Sequence, residues 1–221
     1  MGRIVSELLD EQKRGADQAV TLAVLAGGEG SRMGMPKGLL SIHGEPILAY
    51  LLQQIAWPGP TMLVSAPGRE HPPGWEKFSI EVSDSEAQGP LRGIFTALEN
   101  LTTPVVVVVT VDMPGVGSEQ GRWLIDQLAK QPGTLGMMCK RQSGGSSSSA
   151  SVIEPFPSIY RREALVEIGQ RLTIGKRSVH GLLESSSFVA DTTPAKWEPH
   201  VWVNLNRPEE LAEYLRTNDQ T

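Results

Sequence analysis

An apolar run that breaks abruptly into glycine constrains this chain more than any other feature. Leu22 to Leu25 reads as a buried strand, and it passes through Ala26 into Gly27, Gly28 and Gly30. Arg32 and Lys37 follow before apolar sequence resumes at Leu39 and Leu40. A strand feeding such a loop presents backbone N–H groups free of Cβ bulk, with two cations beside them. The residues point to a loop that holds a phosphate chain. The plainer alternative is a glycine-rich strand-to-helix connection with two solvated cations.

Spacing excludes two familiar phosphate loops. A Walker A loop needs Gly, four residues, Gly, Lys and then Ser or Thr, but here Pro36 precedes Lys37 and Gly38 follows it. A dinucleotide fingerprint starting at Gly28 and Gly30 needs a small residue at position 33, which is Met33.

The 221 residues suffice for one substantial core, burying roughly 70% of the unfolded surface. One domain over residues 19–217 is expected, preceded by an extension, residues 1–18, whose positions 4–14 can form a short amphipathic helix. A net charge of −5 with no basic block argues against a nucleic-acid partner. Cys139 is the single cysteine, so no disulfide framework exists and a reducing, cytoplasmic setting is expected. No apolar stretch approaches the ~20 residues of a membrane span. The first residues lack a signal-peptide pattern, because Ser6, Glu7, Asp10 and Glu11 interrupt the apolar positions.

Short apolar runs alternate with segments of helical period, which predicts an α/β fold with a mostly parallel central sheet flanked by helices. Strands are expected at 20–25, 61–65, 79–83, 104–110, 134–139, 150–153, 188–190 and 201–204. The valine run after Pro104 shows no polar alternation and should be buried on both faces. Helices are expected at 46–57, 90–100, 118–130, 161–170, 176–185 and 207–216. Residues 66–76 read as a surface excursion, and the serine-rich tract 143–151 as a hairpin tip or, alternatively, a lid over a second substrate.

Four further segments lie beyond predicted strands, where ligands bind in open α/β sheets. Asp84 follows a strand, and Gly89, Pro90, Leu91, Arg92 and Gly93 open a helix. Together they can serve a base edge or a ribose hydroxyl, although Asp84 can equally satisfy local N–H groups. Asp112, stopped by Pro114 at the end of the valine strand, cannot enter the core without a large desolvation cost and belongs in a cleft. Its oxygens suit Mg²⁺, although a turn-initiating Asp is the alternative. In Asn204-Leu205-Asn206-Arg207-Pro208-Glu209, Asn206 reads as a helix N-cap with Glu209 as its capping-box partner, and Asn204 as the ligand contact at a strand end. The fourth segment, Glu154-Pro155-Phe156-Pro157-Ser158-Ile159-Tyr160, lies beyond the serine tract and could frame an acceptor pocket. The four histidines show no metal or triad spacing.

With LAGGEGSRMGMPKGLL, GPLRG, VDMP and VNLNRPEEL in that order, residues 20 to 215 resemble the molybdenum cofactor guanylyltransferases, in the nucleotidyltransferase superfamily with its Rossmann-like single domain. The resemblance implies Mg²⁺-dependent transfer of GMP from GTP to molybdopterin, with release of pyrophosphate. It implies that Leu25, Ala26, Gly27, Gly28, Gly30, Arg32 and Lys37 bind the GTP phosphates, and that Asp84 and Gly89, Pro90 and Leu91 bind guanosine. Asp112 would hold Mg²⁺, with Lys37 and Arg32 sharing the catalytic charge, and Asn204 and Asn206 would line the pterin side. Partners would be GTP, molybdopterin and other molybdenum cofactor biosynthesis proteins. One departure stands out: Glu154 occupies a position where the family often has His or Gln, and a carboxylate facing the pocket would repel a pterin phosphate. The competing readings are a transferase using CTP or another phosphorylated acceptor, and a non-catalytic nucleotide-binding homologue.

Overall fold

The computed structural model describes residues 19–27, 32–68, 70–84, 86, 88–142, 151–197 and 199–218. The extension 1–18, Gly28, Gly30 and most of the serine tract lie outside the described residues. A seven-stranded sheet carries the fold. Strand β1 (Val20–Leu25) is followed by the short β2 (Ser41–Ile42) and β3 (Glu45–Pro46), which pair only with each other. Then come helix α1 (Ile47–Ile55), β4 (Thr61–Ser65), β5 (Ile80–Ser83), α2 (Pro90–Glu99), β6 (Val105–Thr110) and α3 (Ser118–Ala129). The chain continues through β7 (Gly136–Gln142), β8 (Ser151–Arg161), α4 (Ala164–Thr173), β9 (Phe188–Thr192) and α5 (Pro208–Asn218).

The spatial order is β5-β4-β1-β6-β8-β7-β9, and only β8 runs against the rest. β1 and β6 pair along their whole length, from Val20 opposite Val105 to Leu25 opposite Thr110. Both are buried on both faces, as a central parallel strand with helices on either side must be. The long apolar side chains Ile47, Leu48, Leu51 and Ile55 of α1 are all buried, one face of that helix against the core.

Three expectations need correction. Residues 154–160 belong to β8, which runs on to Arg161 and moves the next helix from 161–170 to 164–173. Pro155 and Pro157 argue against a strand, but they lie where the register jumps, with Met138 opposite Ser158 and Cys139 opposite Glu154. No ladder N–H is needed from them there. Residues 201–204 are not a strand: Pro199–Trp202 forms a 3₁₀ turn, and Leu205 donates its N–H to the Asp112 carbonyl at 2.8 Å instead of joining the sheet. The predicted helix 176–185 is reduced to a 3₁₀ turn at His180–Glu184. Among the described residues, no helix is long and apolar enough to cross a membrane.

Candidate active site

The chain leaves β1 for β4 and β5 on one side and returns to β6 on the other. The carboxyl ends of these four parallel strands therefore flank a topological switch point, where open α/β sheets bind ligands. A cavity of about 530 Å³ opens there, within the size range of small-molecule sites. Gly27 and Leu25 line it from β1, Ala66 from β4, Asp84 from β5, and Asp112 from β6. Gly89, Pro90 and Gly93 close it from the start of α2. Gly93 lets α2 pack closely on β1: a Cβ there would come within 3.3 Å of Leu25 Cδ1 and Cδ2, which would have to shift by a few tenths of an ångström.

Opposite Asp84 lies a charged cluster. Lys37, at the start of a 3₁₀ turn over Lys37–Leu39, donates from Nζ to Asp112 Oδ2 at 2.5 Å and to Asn206 Oδ1 at 2.7 Å. The Lys37 and Asp112 side chains are only 15% and 14% exposed, so this pair is sheltered from bulk water. Backbone bonds fix Asp112: Val111 N–H donates to Leu25 O at 3.0 Å, and Asp112 O accepts from Leu205. Asp112 Oδ1 is buried and has no hydrogen-bond partner. An orphaned carboxylate oxygen on a residue that lines this cavity fits a hard cation such as Mg²⁺, which takes one or two carboxylates and completes its shell with water and phosphate oxygens. Among the described residues no group of three or more His, Cys, Asp or Glu could cage a metal alone.

Neither asparagine takes the place expected of it from its own stretch of sequence. Glu210, not Glu209, reaches back to the chain: its Oε2 accepts from Asn206 N at 2.6 Å and Arg207 N at 3.0 Å. That carboxylate serves the two N–H groups just before α5, and the Asn206 side chain instead reaches Lys37 across 169 residues of sequence. Asn204 ends no strand, and its Nδ2 donates to Trp202 O at 3.2 Å.

Other expected site residues sit elsewhere. Leu91 is fully buried beneath the cavity and does not line it, and Ala26 donates its N–H to Val64 O at 2.8 Å. Arg32 is exposed and is not part of the lining. Glu154 is neutralised by Arg141, whose Nε donates to its Oε1 at 2.7 Å, so it does not bring a bare carboxylate to the cleft. Ala66, Pro67 and Thr110 are lining residues that the sequence reading passed over. The signal was available, because they immediately end or follow β4 and β6, strands adjacent to β1. Cys139 is buried in β7, and burial pushes its thiol pKa well up, which leaves it no part in the chemistry.

The family described as the MobA-like NTP transferase domain matches residues 22–196, most of the chain. The chain belongs to that family. It is thus a nucleotidyltransferase of MobA type. The probable molybdenum cofactor guanylyltransferase of Deinococcus radiodurans is 28% identical over 194 residues, 88% of this chain and 93% of its own length. The molybdenum cofactor guanylyltransferase of Vibrio atlanticus is 26% identical over 194 residues, covering 86% and 93%. The crystal structure of molybdopterin-guanine dinucleotide biosynthesis protein A from Archaeoglobus fulgidus, 23% identical, matches with a TM-score of 0.72 over 91% of this chain and all of that one. That likeness attests the shared fold. Asn204 and Asn206 fall outside the matched interval, so Asn206 enters the MobA-like site through its bond to Lys37.

Proposed function

We propose that this MobA-like protein transfers GMP from GTP to molybdopterin and releases pyrophosphate. The observation that carries the reading is the pairing of Lys37 with Asp112 at the end of β6, facing a cavity whose far wall offers Asp84 and the N-terminus of α2. A cationic end and an end rich in hydrogen-bonding groups suit the phosphates and the base of one nucleotide. The names of the relatives supply the acceptor.

In the reaction a terminal phosphate oxygen of molybdopterin attacks the α-phosphorus of GTP in line. The new P–O bond forms as the bond to the β-phosphate oxygen breaks, and pyrophosphate leaves with that electron pair. The nucleophile is already anionic near neutral pH, so no general base is required. The barrier is the approach of two anions and the charge that grows on the leaving group. Lys37 Nζ supplies charge neutralisation at the phosphates and Asn206 holds that amine in place, so the chain acts by positioning and preorganised electrostatics. Asp112 would hold Mg²⁺ through Oδ1, and the ion when bound adds Lewis-acid stabilisation of phosphate oxygens. On the far wall, Asp84 accepts hydrogen bonds from the N1–H and amino group of guanine or from a ribose hydroxyl.

Mass analysis of the products tests this. Protein, GTP, Mg²⁺ and molybdopterin together should yield molybdopterin guanine dinucleotide and one pyrophosphate per product. A nucleotide product lacking the pterin, or none, would contradict the proposed acceptor.

A further inference from the structure

Arg92 occupies the third position of α2, between Pro90 and Gly93, which line the cavity, but does not line it itself. A guanidinium in the first turn of a helix meets the positive end of the macrodipole, which costs stability unless something offsets it. Three carboxylates do. Arg92 Nε lies 3.8 Å from Asp84 Oδ1, and Nη2 lies 3.3 Å from Glu86 Oε1 and 3.9 Å from Glu99 Oε2. The two glutamates are 45% and 44% exposed, so their attraction is weakened by solvent. Asp84 is 9% exposed and Arg92 17%, which makes theirs the sheltered contact, on an oxygen that also accepts from Glu86 N at 3.2 Å.

The arginine is held from a second side. Its guanidinium carbon sits 4.8 Å from the centroid of the Phe95 ring. Phe95 in turn is wedged against α4, where a Cβ on Gly169 would come 2.9 Å from Phe95 Cε2. Arg92 Nε is buried with no hydrogen-bond partner, since 3.8 Å is too long for one. A buried, unpaired donor clamped beside a cavity-lining carboxylate has a bond to gain.

We propose that Arg92 is a positioning residue for base recognition, which holds Asp84 so that the carboxylate accepts from the ring N–H and exocyclic amino group of a 2-aminopurine. When the base seats, the Nε to Oδ1 gap closes to a charge-assisted hydrogen bond of ~2.8 Å. This deepens the guanylyl reading and rests on it. The contact is remote from the reacting phosphorus, so it contributes to nucleotide affinity and base choice more than to turnover.

The test is equilibrium titration of the full-length protein with GTP and with ITP, whose base lacks only the exocyclic amino group, alongside ATP and CTP. Wild type should bind GTP ~10-fold or more tightly than ITP, the scale of one hydrogen bond to a buried charged partner. Arg92→Ala and Arg92→Gln should lose most of that ratio, and Arg92→Lys, which keeps a cation within reach, should retain part of it. A purely structural arginine would weaken both nucleotides alike, so an unchanged GTP-to-ITP ratio in both Arg92→Gln and Arg92→Ala overturns the proposal. So does a wild type that treats GTP and ITP equally while rejecting CTP. Equal binding of all four nucleotides would instead contradict the guanylyl reading beneath it. Should Arg92→Ala fail to fold, Arg92→Gln and Arg92→Lys carry the comparison.

Discussion

Lys37 carries three N–H donors, and Asp112 and Asn206 take two of them, which leaves one for an incoming phosphate oxygen. On the proposed reaction its charge would meet phosphate both before and during transfer. Lys37→Ala should therefore weaken GTP binding and slow the single-turnover rate together, and a variant unchanged in both would make Lys37 only a structural partner of Asp112 and Asn206. Asp112→Asn keeps the shape of the side chain but removes the charge that a cation would need. Turnover at saturating Mg²⁺ should fall by ~100-fold with the thermal melt retained, and activity within about threefold of wild type would remove Asp112 from the mechanism. Burial raises the Cys139 pKa, so thiolate is scarce near neutral pH, and a thiol reagent should label it only after denaturant is added. Rapid labelling of the native chain would show that β7 opens readily. Asp112 was legible in the sequence because it lies just beyond the end of a strongly apolar strand, and Lys37 because it closes the glycine-rich loop that follows another. Asn206 was ambiguous for a physical reason: Asn followed at three and four residues by Glu209 and Glu210 suits a cap and a cleft contact equally well. Only the tertiary approach of Lys37 decides between them.

At the scale of elements, the segment 199–206 is what brings Asn206 to the cleft, and it docks on the turn after β6. Gly115 makes that docking possible. A Cβ at position 115 would overlap the His200 carbonyl oxygen and come 2.6 Å from its carbon, both backbone atoms that cannot swing aside. Gly115→Ala should push the segment off the turn and loosen Asn206 from Lys37. A misplacement of ~1 Å at a reacting centre can lower turnover by ~100-fold, and that loss should appear with an unchanged far-UV CD spectrum. Full activity would mean that the segment can dock without this contact. The sequence hid this element because Val201, Trp202 and Val203 make a short apolar run that reads as a strand, while Val203 N–H is taken by His200 O in a turn and Leu205 N–H by Asp112 O. It hid the length of β8 because prolines usually end strands, and the register jump that accommodates them belongs to the pairing with β7, which local sequence does not show. The central strands were legible since a parallel strand buried on both faces leaves a plain apolar run, and Val106 to Val109 form one.

Over the whole molecule, one switch in strand order gathers residues from distant parts of the sequence around a single cavity. The paired charges of Lys37 and Asp112 lie on one wall, and Asp84 with the α2 N-terminus on the other. On the proposed function, that separation would let the fold choose a base at one end while it does chemistry at the other. A base pocket with buried polar groups leaves them unpaired when the wrong base enters, so discrimination should be large. The direct measurement is the rate of pyrophosphate release with GTP, ATP and CTP at equal concentration, with molybdopterin as acceptor and Mg²⁺ present. GTP should exceed each of the others by ~100-fold or more. A rate with CTP that equals or exceeds that with GTP would contradict the guanylyl assignment and make the protein a cytidylyltransferase.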